Sequence, residues 1–381
     1  MERKRLLITD MEKEEIIRRK EYEGYTILCD DGKIRPCIGC FTCWKKTPGR
    51  CVFKDGFDQM AALLNEADEI VYSSRFTYGG FSAFIKNVFD RSIPYVLPYF
   101  EVCENEMHHK RRFEKIKDIT FIFRGHDLSK EEKDMAISYV EAVCRNMRNN
   151  VKEVLFEEET GRKEIVKESD PVKGRILLIN CSMRGKEANS ETFLKRLAED
   201  LHTDHEYLRF KDAGEEETVS KMADAETIIL AMPLYVDGLP SNVIRLLQKI
   251  EEKLNGKGRK IYVLANLGLY ESHQLVNLLS MMKYWCKKTG FQYKGAIGIG
   301  AGELIGVLIR KISFGPVRPA LNALKDLAMA IDRKEDLEDR YVQPFAFPRR
   351  LYIFIANRSW DLHALKQGLK PSDLEKRPHF E

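Results

Sequence analysis

No stretch of this chain approaches the roughly 20 apolar residues that a membrane-spanning helix needs. The nearest, ELIGVLIRKISFG, is broken by Arg310 and Lys311. The start, MERKRLLITDMEKEE, is basic, but acid cuts its apolar run short of the ~7–15 residues a signal peptide uses. An excess of one charge is missing too: 63 Lys and Arg face 59 Asp and Glu, a net of +4. That balance gives no case for nucleic acid or a membrane surface as partner. The dinucleotide fingerprint GxGxxG is absent, because GIGAGELIG (298–306) has the wrong spacing and follows the wrong strand. These absences predict a cytoplasmic protein whose thiols stay reduced. Metal or redox chemistry is then a better use of clustered cysteines than disulfides.

What is present is an alternation of short apolar runs and helical patterns, repeated twice. Runs at 5–9, 25–29, 69–74, 119–123 and 151–156 predict five strands, and runs at 175–181, 205–210, 226–232, 260–267 and 294–300 predict five more. Nearly all-apolar strands between helices predict parallel sheets covered on both faces. At 381 residues the chain is long for one domain. The predicted division is 1–158, a charged linker at 159–174, a second domain at 175–312, and a helical and aromatic extension at 313–381. That extension is expected to pack on the second domain or on another subunit. A weak internal repeat supports duplication: ADEIVYSSRFTYGGFSAFIKNV and AETIILAMPLYVDGLPSNVIRLL share a strand, an aromatic loop, a glycine and a helix. Matching Tyr78 to Tyr235 calls for one extra residue in the second loop.

In open α/β sheets ligands sit beyond the carboxyl ends of the strands. After the first strand of the second domain comes CSMRGKEANS, with Ser182, Arg184, Lys186, Asn189 and Ser190 leading into a helix. Hydroxyls, an amide and two cations before a helix N-terminus suit a phosphate. The plainer alternative is that Ser190 only caps the helix. The third-strand loop offers Pro233, Leu234, Tyr235 and Val236, and the fourth offers Asn266 and Gly268, which could flank a flat ring. A phosphate niche with aromatic loops fits flavin mononucleotide better than a dinucleotide. No proton-transfer residue stands out; His273 lies in the right loop but carries no assigned role. The first domain has DMEKEE in the equivalent place, and its acids would repel a phosphate.

CIGCFTCWKKTPGRC places Cys37, Cys40, Cys43 and Cys51 within fifteen residues, spaced Cx2Cx2C with seven more residues before the fourth. Iron–sulfur clusters take four thiolates, often at such spacings. Structural zinc more often uses two separated pairs or adds histidine. Unligated thiols are a third reading.

The segment PCIGCFTCWKKTPGRCVFKDGFDQM, with ADEIVYSSRFTYGGFSAFIKNVFDR after it, resembles the flavodoxin-like NAD(P)H-dependent FMN reductases and iron–sulfur flavoproteins of anaerobes. INCSMRGKEANSETF, MPLYVDGLPS and GIGAGELIG resemble the same group more loosely. The resemblance implies an α/β fold of two tandem flavodoxin-like three-layer domains. Each would hold a parallel five-stranded sheet in the order 2-1-3-4-5, followed by the helical C-terminal extension. It further implies FMN, a 4Fe-4S cluster on the four cysteines, and NAD(P)H or a low-potential carrier as electron donor. The acceptor would be a quinone, flavin, nitro compound or redox protein, and a homodimer is among the assemblies to expect. Two departures stand out. The cysteine loop and the phosphate loop fall in different domains, and Cys181 and Met183 stand where the family usually has Gly and Pro. An electron-transfer protein with no substrate of its own and a cofactor-free scaffold are the alternatives.

Overall fold

The computed structural model describes residues 3–159 and 174–380. All but the end residues of the expected linker 159–174 lie outside the described residues. In chain order the first half forms β1 (Arg5–Thr9), α1 (Lys13–Arg18), β2 (Thr26–Cys29), α2 (Thr42–Lys45), α3 (Met60–Glu66) and β3 (Glu69–Arg75). It continues with α4 (Ala83–Arg91), β4 (Val96–Cys103), β5 (Glu106–Arg111), β6 (Asp118–Gly125), α5 (Lys130–Met147) and β7 (Asn150–Glu158). The second half forms β8 (Arg175–Asn180), α6 (Asn189–Asp200), β9 (His205–Arg209), α7 (Phe210–Ala223), β10 (Ala225–Pro233) and α8 (Ser241–Lys253). Then follow β11 (Lys260–Asn266), α9 (Val276–Thr289), β12 (Gln292–Ile299), α10 (Gly302–Leu308), α11 (Arg318–Arg333), β13 (Arg340–Val342) and α12 (Arg349–Lys366).

The described residues divide into two compact units, one of 174–352 and one that joins the residues before 160 to those from Ile353 onward. In the first unit the sheet runs β2-β1-β3-β6-β7, all parallel. In the second it runs β9-β8-β10-β11-β12, again parallel, and β13 adds a sixth strand against β12. Both are the 2-1-3-4-5 order of the flavodoxin-like fold. The sixth strand is an addition: Arg340, Tyr341 and Val342 pair with Ile297, Gly298 and Ile299 at an edge the five-strand reading left open. Strands such as β10 and β11 bury almost every residue, as expected where helices cover both faces.

One element escaped the sequence reading. β4 and β5 form a separate antiparallel ribbon between α4 and β6. Pro98 interrupts the first strand and EMHHKR gives the second no clean alternation, so neither shows a strand period.

The repeat aligns without a gap. Thr77 and Gly80 bridge each other, as do Tyr235 and Gly238. The pairs are the same distance apart in sequence, so Tyr78 corresponds to Val236, not to Tyr235, and no extra residue is needed. Both Tyr78 and Val236 take positive φ, 52° and 38°, because both sit at the same corner of the tight turn. Carried through the sheets, the register sets Thr9 beside Ser73 and Asn180 beside Ala231, so Asp10 corresponds to Cys181. It likewise pairs Arg75 with Arg124 and Pro233 with Asn266.

The C-terminal extension is divided. α11 packs its apolar face into the core of the second unit through Leu324, Leu327 and Ile331. The residues from Ile353 onward belong to the first unit.

Candidate functional site

The cysteine loop is built on α4. Asn87 and Arg91, four residues apart, lie on one face of that helix and grip the two ends of the loop. At one end the Asn87 carboxamide accepts from the Cys37 amide at 3.2 Å and donates to the Arg35 carbonyl at 3.2 Å. At the other the Arg91 guanidinium pairs with both Asp55 oxygens at 2.7 and 2.8 Å. It donates to the Arg35 carbonyl at 2.9 Å, and its Nε points at Cys51 Sγ at 3.1 Å. Between these ends Gly39, Phe41 and Gly49 take positive φ, which turns the chain around the thiols. Cys43 is buried, Cys37 and Cys51 half-buried, and Cys40 exposed.

Burial, with Asp90 nearby, pushes the Cys37 thiol up to about 12, and burial holds Cys43 well above the usual range. The four thiols act on one another electrostatically. Yet no three of them lie within 4.8 Å among the described residues, where the one such compact group is the exposed His126, Asp127 and Glu158. Neither Asn87 nor Arg91 was found from the sequence; the signal was a polar i, i+4 pair, beside a second one at Lys86 and Asp90, on a short buried helix.

The residues expected to bind phosphate also converge. Asn180, at the end of β8, accepts from the Ser182 amide at 2.9 Å, and Gly185 turns the loop with φ 61°. The N-cap of α6 is Ala188, which makes no side-chain cap, so Ser190 is not the cap. Its hydroxyl instead accepts from Asn266 Nδ2 at 2.7 Å. The backbone amides of Asn189, Ser190 and Glu191 therefore open the helix with no acceptor among the described residues. Asn189 packs under Gly306, where a Cβ would come 2.4 Å from its side-chain oxygen. Arg184 pairs with Glu303 at 3.1 Å, and Lys186 is exposed. The buried Glu191 carboxylate turns away to Arg209, Tyr207 and Asn180 at 2.7, 2.5 and 2.8 Å. Burial alone would raise its pKa, but those bonds pull it down to about 2.

The two expected ring loops meet at Asn266, which donates to the Met232 carbonyl at 3.2 Å and accepts at its own carbonyl from the Leu234 amide at 2.7 Å. Pro233, Leu234, Tyr235 and Val236 thus lie beside Asn266, as expected. What the sequence reading missed is the backing of the Gly268 loop. The Gly268 carbonyl accepts from the Tyr352 hydroxyl at 2.5 Å, Tyr270 donates to the Phe347 carbonyl at 2.9 Å, and Arg349 pairs with Glu271 at 2.7 Å. His273 lies in a short 3₁₀ turn there.

An iron–sulfur flavoprotein of Methanocaldococcus jannaschii is 41% identical over 78 residues, 20% of this chain and 39% of that protein. One from Archaeoglobus fulgidus is 38% identical over 74 residues, 19% of this chain and 33% of its own length. The likeness is to iron–sulfur flavoproteins. The chain spans only a third to two-fifths of the length of these curated relatives. No family model matches it. Among solved structures, oxidised flavodoxin 2 from Bacillus cereus is 15% identical and covers 42% of this chain and 99% of its own, with a TM-score of 0.32. The Trp repressor binding protein from Bacillus subtilis, 17% identical, covers 40% and 97%, also at a TM-score of 0.32. The flavodoxin-like assignment rests on the strand order. Among the described residues no helix is long and apolar enough to cross a membrane.

Proposed function

We propose that this chain is a flavin-dependent oxidoreductase of the iron–sulfur flavoprotein type, with FMN on the second unit and a 4Fe-4S cluster on Cys37, Cys40, Cys43 and Cys51. The observation that carries the flavin half is the opening of α6. Three amides without acceptors, beside Ser182, Ser190, Lys186 and Arg184, form the donor set a phosphate takes at a helix N-terminus. Asn266 and Gly268, with Pro233 to Val236, would flank the ring. The cluster half is supported by the four thiols of one loop, their mutual electrostatic influence, and the Arg91 N–H aimed at Cys51. Bound together, FMN and the cluster would join two-electron to one-electron transfer. The residues of this chain bind and orient: α4 fixes both ends of the cysteine loop, and Asn266 joins the phosphate loop to a ring loop. The donor would be NAD(P)H or a low-potential carrier, and the acceptor a quinone, flavin or nitro compound.

Anaerobic purification with counts of iron and FMN per chain tests this. About four irons and one FMN are expected, and oxidation of NAD(P)H with a quinone would mark an enzyme. A colourless, iron-free protein would sink the reading. Flavin with no iron would leave a plain FMN reductase.

A further inference from the structure

Arg112 follows β5 directly and is 2% exposed. Among the described residues no carboxylate stands within 4.0 Å of it. Its donors go to carbonyls instead: Pro94 at 2.6 Å, Leu374 and Lys376 at 2.7 Å each, and Val96 at 3.5 Å. Other buried arginines of the same unit are paired, Arg91 with Asp55 and Arg124 with Asp10. A buried cation without a counter-charge is costly, and carbonyl dipoles offset only part of that cost. Burial lowers Arg112 to about 10, so it stays charged at neutral pH.

Arg112 lies beside the cysteine loop. Trp44, next to Cys43, donates to the same Val96 carbonyl at 3.0 Å, so the guanidinium and the cysteine loop meet at one acceptor. The acidic groups that act on Arg112 are the Cys43 thiol and the exposed Glu375. Four thiolates around a metal group leave it net negative, which would supply the charge that the free thiols lack. The two carbonyls Arg112 holds at 2.7 Å belong to the C-terminal tail, which also lays Pro378 against Gly49 and brings the His379 carbonyl within 3.3 Å of Arg50.

We propose that Arg112 is the buried counter-charge of the anionic metal–thiolate group in the cysteine loop, and that it couples loading of that group to docking of the tail at 371–380. This rests on the cluster reading above. Because coupling is reciprocal, the bound group holds the tail down and the docked tail retains the group.

Limited trypsin digestion of the full chain tests it, comparing anaerobically loaded protein with protein stripped by a chelator. The probe is cleavage after the exposed Lys376, since Pro378 shields the bond after Arg377 from trypsin. Stripping should speed tail cleavage at least tenfold. Arg112→Gln should lose metal to the chelator at least tenfold faster and show a stripped-like tail even when loaded. Should that variant misfold, Arg112→Lys, which keeps the charge but not the forked donors, should release the tail and lose metal faster than wild type but more slowly than a charge-free variant. Equal cleavage of loaded and stripped wild type, or a loaded Arg112→Gln with full protection, overturns the coupling and leaves the cluster reading standing. A wild type with no metal sinks both.

Discussion

The carboxyl ends of the two sheets start from the same backbone and end in opposite chemistry. Where the second unit has Cys181, Pro233 and Asn266, the first has Asp10, Arg75 and Arg124. In the first unit these charges satisfy one another. Buried Arg124 pairs with Asp10 and lies 3.4 Å from Glu159, the Arg75 amide donates to both Asp10 oxygens at 3.1 Å, and the Arg75 side chain reaches Glu159 at 3.2 Å. The helix beyond, α1, is six residues long and begins among acids. In the second unit neutral residues line the same place, and the twelve-residue α6 opens on free amides. The lesson is that one topology carries two chemistries, and a handful of end-of-strand residues decides whether that place is neutral or filled by paired charges.

That comparison can be broken most severely by moving the ion pair across. Cys181→Asp with Asn266→Arg would place the Asp10–Arg124 pair at the mouth of the phosphate loop. FMN affinity should fall at least a hundredfold, about 2.8 kcal/mol at 1.4 per tenfold. Fluorescence titration of the stripped variant would read this. Undiminished binding would mean that the strand ends do not decide the matter. Next in size is the loss of the pair from its own unit. Arg124→Gln strands the Asp10 carboxylate and should cost about 3–5 kcal/mol of stability. Calorimetry should show the first unit melting earlier while the FMN count stays unchanged.

How much of this could be read beforehand follows from the range of the signals. The strands were legible because both faces are covered, which makes each an unbroken apolar run flanked by helical patterns. The cysteine loop and the loop after β8 were legible because the residues that single them out are close in sequence. Asn87, Arg91 and Arg112 were not, since they lie 36 to 61 residues beyond Cys51, and nothing local marks such a polar residue as a clamp. The acids after β1 were plain in the sequence. Their partner Arg124 lies 114 residues from Asp10 and became visible only through the sheet register. Tyr352 and Arg349 were hidden likewise, because an aromatic, basic tail gives no sign of which loop it backs.

A smaller effect sharpens the second unit's side. Arg184→Ala with Lys186→Ala removes two cations but leaves the α6 amides in place. FMN affinity should drop about tenfold, near 1.4 kcal/mol, and the loss should shrink as salt rises, because both side chains reach solvent. A complete loss would transfer the main role from the amides to the cations.

The smallest expected effect concerns how the phosphate loop is held rather than what it binds. Glu191 is the one buried carboxylate in the first turn of α6, and it ties β8 to β9 through Asn180 and Arg209. Its folded pKa of about 2 lies below the ~4.3 of an unfolded glutamate. A depressed carboxylate contributes stability that is fully present above the unfolded value and is lost as pH falls through the folded one. The contribution should therefore hold at neutral pH and fade between roughly pH 4.3 and 2. Glu191→Gln should be less stable than wild type at pH 7, with the gap closing through that window in acid titrations of thermal midpoint. A gap that stays constant with pH would mean the residue acts by packing, and the charge network around Asn180 would then not be what shapes the loop.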